Sequence, residues 1–338
     1  MAGPDPGFRI QGWVEQDGRR LTGDEIAAAL ARDPLAASRF GGEFFIRWNG
    51  CTARDRFGVI PGEYPKGSIV CDGKQVGSVN PDPEPLDIES AIIEAVRLRS
   101  DEGITALSGG VDSALVAKLA GLRCIAVGIA GSHDLRRAEQ VAKEIDLPCE
   151  CVVVGPEEVE PALRKVITAI PAVDPVNASI ATTQYFIARW AGEHGHSRIL
   201  TGQGADELFG GYSRYLESAD LAADMERDFI GLADQANRDQ AVAALHGTYL
   251  SLPYLDVRVV RAVREVPHNE RIRDGVRKYL LRSIAERHIP QETAWYDKKA
   301  MQYGSGIMKV IRDLARKNGY SRSLQGYLDY LRRAPHGK

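Results

Sequence analysis

Two serines, two glycines, a valine and an aspartate, Ser108-Gly109-Gly110-Val111-Asp112-Ser113, stand where an apolar run too short for a helix gives way to a helix-period segment. Strand, glycine turn and helix in that order are the layout of a phosphate site, and by themselves read equally well as an ordinary tight turn. The backbone N–H groups from Ser108 to Ser113 face one concavity, with Leu107 ending the strand that leads in. Gly109 and Gly110 carry no Cβ, so the main chain can approach an anion, and the helix beginning near Asp112 adds partial positive charge at its first turn. The Walker pattern is absent, since no Gly-Lys-Ser/Thr follows the glycines. An aspartate occupies the place of the Walker lysine, so a divalent cation must bridge acid and phosphates, which points to pyrophosphate leaving as a unit. Asp112 also has the plainer reading of a helix cap, and the two roles are compatible.

Further along, Thr201-Gly-Gln-Gly-Ala-Asp-Glu-Leu-Phe-Gly-Gly-Tyr212 brings a second glycine-framed acid, Asp206. The loop Ser108–Ser113 resembles the pyrophosphate loop of the ATP pyrophosphatases, and Thr201–Tyr212 resembles the second signature of the asparagine synthetase branch of that family. Asp297-Lys-Lys-Ala-Met-Gln-Tyr-Gly-Ser-Gly306 resembles the segment in which asparagine and β-lactam synthetases place a lysine six residues before a Gly-x-Gly. Counting back from Gly304 gives Lys298, with Lys299 as the fallback; outside the motif either would be an ordinary solvated lysine. The resemblance covers roughly residues 86 to 315. It implies ATP and Mg²⁺ as cofactors, with Asp112 and Asp206 holding the metal and Lys298 neutralising charge that builds on pyrophosphate and activated carboxyl. It also implies that Leu107 to Ser113 and Gly202 surround ATP, and that main-chain groups at Val127 and Gly128, within Ala126-Val-Gly-Ile129, read the adenine. Lys278, within Arg277-Lys-Tyr-Leu-Leu-Arg282, aligns more loosely with another family lysine; contact with phosphates and a solvated helix face are both open.

The implied reaction is attack of a carboxylate on the α-phosphorus of ATP, giving an acyl-adenylate and magnesium pyrophosphate, followed by displacement of AMP by an amine. Aspartate and ammonia are the first expectation for the substrates. Departures from the family pattern keep other acids open. Where asparagine synthetases carry Glu and β-lactam synthetases Tyr between the two glycines, this chain has Gln203, which cannot take a proton at neutral pH. The family's Glu-x-Arg-x-Pro-Phe-Leu-Asp stretch appears as Tyr249-Leu-Ser251-Leu-Pro-Tyr-Leu-Asp256, and the usual arginine in Asp174–Thr183 is replaced by Ser179. A rival from another class is a non-catalytic nucleotide-binding subunit that regulates a true synthetase.

The elements that must position these residues follow from pattern. Residues 1 to about 85 read as a small β-rich domain: Phe44–Trp48, an Asn49-Gly50 turn and Cys51-Thr-Ala-Arg make a hairpin. Gly42-Glu-Phe-Phe with Ala53-Arg-Asp-Arg-Phe-Gly-Val-Ile-Pro61 resembles the middle of the glutaminase domain that asparagine synthetases carry in front, shortened and inactive, because Ala2 follows Met1 where that domain exposes a cysteine nucleophile. Cys51 is the nearest alternative thiol, without a free α-amino group beside it. Asn80-Pro-Asp-Pro-Glu-Pro85 is a stiff linker, and Leu86–Ser100 an amphipathic helix.

From Ile104 the chain alternates strand and helix: strands at Ile104–Leu107, Cys124–Ile129, Cys151–Val154 and Arg198–Thr201, with helices to about Leu119, over Asp134–Ile145, Glu157–Ala169 and Ala181–Glu193. Residues 86–330 therefore read as an α/β domain, a parallel sheet with helices on both faces, adenine nucleotide alpha hydrolase-like, with ligands beyond the carboxyl ends of the strands. Helices are expected over Leu216–Leu245, Val257–Val266, Gly275–His288 and Ile307–Lys317.

With 338 residues, 44% hydrophobic and 26% charged, and a net charge of −3, the chain has neither a polyanion-binding balance nor an eighteen-residue apolar run. No nucleic acid and no membrane are expected, and the cytoplasm is the default location. Expected partners are a small carboxylate and ammonia, with a separate ammonia-supplying subunit and a homodimer both compatible. Five cysteines lack a Cys-x-x-Cys pair, and Cys124, Cys149 and Cys151 read as buried thiols.

Overall fold

Positive φ angles at Asn49 (40°) and Gly50 (74°) make the tight turn between β3 (Gly41–Trp48) and β4 (Cys51–Arg54), as the Asn-Gly pair predicts. A computed structural model describes residues 7–297 and 304–333 of the chain. Chain contacts group them into two units, one of Met1–Asp101, Gln203–Ala236 and Ser251–Lys278, the other of Glu102–Gly202, Asn237–Leu250 and Tyr279–Lys338.

In the first unit, β1 (Arg9–Gln16), β2 (Arg19–Arg20), β3, β4, β5 (Ser68–Cys71) and β6 (Lys74–Ser78) form an antiparallel sheet in the order β2-β1-β3-β4-β5-β6. Alternation puts Val14, Phe44, Ile46, Trp48 and Ile69 in one apolar cluster with Ile26 and Leu30 of the helix Gly23–Arg32. Cys51 faces Cys71 across β4 and β5 and is joined to it in a disulfide, so it is not a thiol. The Arg-Asp-Arg-Phe-Gly-Val-Ile-Pro segment is tied into a loop by its first two side chains. Arg54 donates to the carbonyls of Gly58, Ile60 and Tyr64, and the Asp55 carboxylate accepts from the N–H groups of Phe57, Val59 and Ile60. Burial pushes the Asp55 carboxyl up to about 6, against the pull of those N–H donors.

A buried ionic network closes this unit. Glu43 on β3, wholly buried, accepts from Trp13 Nε1 (3.0 Å), Arg99 Nε (2.9 Å), Leu252 N (2.8 Å) and the Ser251 hydroxyl. Arg99 reaches on to Asp256 (3.0 Å), and Arg258 bridges Asp256 (3.2 Å) and Glu15 (3.0 Å). Burial alone would raise the Asp256 carboxyl, but the two guanidiniums beside it hold it below the usual range.

The second unit is built on β7 (Ile104–Ala106), β8 (Cys124–Ile129), β9 (Cys149–Val154), β10 (Arg198–Leu200) and β11 (Tyr249–Ser251), in the order β11-β10-β7-β8-β9. β10, β7, β8 and β9 pair in parallel, and helices flank the sheet on both faces. The unit is thus the parallel α/β sheet expected, with β11 added where the pattern showed no strand. Helices Val111–Ala120, His133–Glu144, Pro156–Ala169 and Pro175–Glu193 connect these strands. Cys124 is buried, whereas Cys149 and Cys151 are half-exposed because β9 ends the sheet and has a neighbour on one side only. The helix expected from Gly275 starts at Tyr279, since Lys278 takes φ 55° and Arg273 pairs with Val276 ahead of it. A helix at Leu324–Arg333 was not expected. No helix among the described residues is long and apolar enough to cross a membrane.

Two outcomes follow for the first unit. Glu43→Ala leaves Arg99 a buried charge short of one partner and should cost about 3–5 kcal/mol in urea unfolding. The depressed Asp256 pKa stabilises the fold above the unfolded carboxylate pKa and is lost as pH falls. The urea midpoint should therefore drop below about pH 4, and less steeply in Asp256→Asn.

Candidate functional site

The strand order decides where a ligand can sit. From β7 the chain steps through β8 to β9 on one side, then returns to place β10 on the other, so connections diverge between β7 and β10. Loops leaving adjacent strands at such a switch point leave a crevice at their carboxyl ends. Leu107 to Gly110 leave β7 there, and Thr201 and Gly202 leave β10.

Within the β7 loop, Ser113 Oγ accepts the Ser108 N–H (3.1 Å), lies 2.8 Å from Ser108 Oγ and donates to the Gly110 carbonyl (3.2 Å), tying loop to helix. Gly109 has φ 77°, and a Cβ there would come within 2.5 Å of Arg137 Cγ. Gly110 is the N-cap of the helix Val111–Ala120 and supplies no side-chain acceptor to its first turn. Val111 is buried, and Asp112, in that turn, is half-exposed. Gly202 lies directly on this turn: a Cβ on it would be 2.8 Å from both Asp112 Cβ and Ser113 N. The first glycine of the second signature is therefore required by contact with the first signature.

Val127 and Gly128 lie inside β8, one strand over from β7, with Gly128 one residue short of the strand end. The Ile129 N–H donates to the Ser305 carbonyl (2.9 Å), so the Gly304-Ser-Gly306 segment closes the end of β8. Gly304 packs against the Asp134 carboxylate, and Gly306, at φ 81°, against Ile129. Ser132 is the N-cap of the helix His133–Glu144, yet its hydroxyl makes no cap bond and lies over Gly128. Sequence reasoning missed Ser132, Asp134 and Ser305; the signal available was the Gly131-Ser-His-Asp turn after a strand. Lys298 and Lys299 lie outside the described residues.

The rest of the second signature belongs to the first unit. Gln203 is a half-buried turn residue, Gly204 (φ 88°) starts the short helix Ala205–Phe209, and Gly210 (φ 75°) ends it. Asp206 on that helix is ion-paired with Lys278 at 2.7 Å. Its neighbour Glu207 is buried and accepts from the Tyr212 hydroxyl and from Gln235 (3.0 Å); burial first, and then Asp206, raise its carboxyl above the usual range.

These features fit the groups the sequence implies. The helix turn capped by a glycine suits phosphate oxygens. Asp112 in that turn is half-exposed, a hard oxygen donor of the kind Mg²⁺ takes when phosphates complete its shell. Among the described residues, no group of three or more His, Cys, Asp or Glu is placed to hold a metal by itself. Gly202→Ala, which pushes a methyl into Asp112 and Ser113, should weaken ATP binding by about tenfold in calorimetry, the effect of a modest overpacking.

The asparagine synthase family model matches residues 87–248 and 230–333. The chain is 33% identical over 290 residues to a Methanocaldococcus jannaschii protein described as asparagine synthetase (glutamine-hydrolyzing) 1, covering 73% of this chain and 53% of that one. It is 30% identical over 255 residues to the asparagine synthetase (glutamine-hydrolyzing) of Bos taurus, covering 69% and 44%. The chain thus spans about half the length of these relatives. A solved NMN synthetase from Francisella tularensis is 14% identical with a TM-score of 0.29, over 55% of this chain and 94% of that one, too distant to add to the fold. With the family model spanning the strands, the loop and both signatures, the chain belongs to the asparagine synthase family.

Proposed function

We propose that this chain is an ATP-dependent, AMP-forming synthetase that adenylates a carboxylate and joins it to ammonia, with aspartate as the first candidate acid. The observation that carries this reading is the seating of Gly202 on the Asp112 turn at the β7/β10 switch point. In the proposed roles, N–H groups at the first turn of the helix Val111–Ala120 receive phosphate oxygens. Main-chain groups at Val127 and Gly128 meet the adenine. Asp112 and Asp206 are the proposed carboxylates for Mg²⁺, which when bound would neutralise the leaving pyrophosphate. Lys298 is the proposed cation toward the activated carboxyl. Gln203 can orient a nucleophile by hydrogen bonds but takes no proton at neutral pH, so the amine must arrive as its free base. In this reading ammonia comes free or from a separate subunit; Cys51, held in a disulfide, supplies no thiol for releasing it.

Ser179 favours a second reading within the same chemistry. It is fully buried on the helix Pro175–Glu193 and its hydroxyl has no partner, so this position presents no charge to a second carboxylate. An acid other than aspartate is equally compatible with an uncharged residue at this position.

Exchange of labelled pyrophosphate into ATP tests the proposal across a panel of acids. Exchange should need Mg²⁺ and one acid, and Asp112→Asn should lower it by about 100-fold. Dependence on aspartate selects the first reading and dependence on another acid the second. MgATP binding without exchange for any acid would instead make the chain a nucleotide-binding subunit.

A further inference from the structure

The Asp206–Lys278 pair is asymmetric. The Lys278 side chain is 9% exposed and that of Asp206 43%, so the carboxylate keeps an open side while the ammonium is enclosed. Three features hold the lysine there. Its own backbone takes φ 55°, unusual for a residue with a Cβ. Its N–H donates to the Gly210 carbonyl (3.3 Å). Gly211, bare of a side chain, lies against both Asp206 Oδ1 and Lys278 Cε, so any larger residue would force the two apart. Arg277 steadies the same turn by donating to the Gly211 carbonyl (2.9 Å).

We propose that Lys278 is a resident counter-cation that holds Asp206 in place until a divalent cation displaces it, so that arrival of the metal releases the ammonium. The proposal rests on the reading of Asp206 as a metal carboxylate and adds what occupies it beforehand. The open side of Asp206 admits a hard divalent ion, which then competes with the ammonium for the Oδ1 that Lys278 holds. The released ammonium is a compact point charge on a flexible stem, suited to pair with a phosphate arriving beside the metal. The glycine at 211 and the left-handed turn at 278 are then explained together, as the geometry that lets one carboxylate serve two cations in succession.

Mn²⁺ binding to the nucleotide-free protein, followed by electron paramagnetic resonance, separates the two levels. Asp206→Asn should weaken it; Mn²⁺ binding unchanged in that variant overturns Asp206 as a metal carboxylate, and the proposal with it. With Asp206 intact, Lys278→Met should tighten Mn²⁺ binding by about threefold to tenfold, because the competing state is removed, and Lys278→Arg should not. Unchanged or weaker binding in Lys278→Met overturns the exchange alone. Wild-type protein gives a second readout that needs no variant. Amine-reactive labelling of Lys278, read by mass spectrometry, should rise when Mn²⁺ is added without nucleotide, and labelling that does not respond overturns the exchange.

Discussion

The missing Cβ at Gly202 is the constraint on which the site depends. The chain leaving β10 must pass against Asp112 and Ser113, and no side chain fits in that gap. Sheet topology brings the two chain segments together: β7 and β10 are neighbours although Ile104 pairs with Ile199, far away in sequence. Closing such a loop is repaid only when the whole sheet forms. The geometry of the Ser108–Ser113 loop is therefore a property of the folded sheet, and a loop peptide alone would not keep it.

A different economy operates in the first unit. Its β-sheet could be taken for a detachable remnant, yet Glu43 on β3 is satisfied by Ser251, Leu252 and Arg99, and Arg99 in turn by Asp256. Buried charges of this kind add little net stability over an apolar core, but leaving one unpaired is costly. That asymmetry gives the N-terminal strands a structural reason to persist, whatever else they do. The Arg54 and Asp55 bonds show the same thing locally: the residues that resemble a glutaminase domain here hold a loop.

What was legible in the sequence was local. Asn49-Gly50 encodes its own turn, Cys124–Ile129 reads as a buried strand from its apolar run, and Ile307–Lys317 from its helical period. The parallel α/β character followed from strand and helix alternation. What stayed hidden depends on pairing across distance. The Cys51–Cys71 bond needs β4 and β5 in register, β11 needs a vacant sheet edge beside β10, and Glu43 finds Ser251 and Leu252, 208 and 209 residues on. At the candidate site, the glycine turns were readable because left-handed or crowded backbone restricts residue type, as at Gly109 and Gly202. The Lys278 pair with Asp206 was not, since nothing in a lysine announces a left-handed backbone.

The central claim is attack of a carboxylate oxygen on the α-phosphorus, and isotope transfer tests it most directly. With the accepted acid carrying ¹⁸O in its carboxyl group, the account predicts one label in the phosphate of AMP and none in pyrophosphate. Label appearing in orthophosphate, with ADP as the nucleotide product, would contradict it.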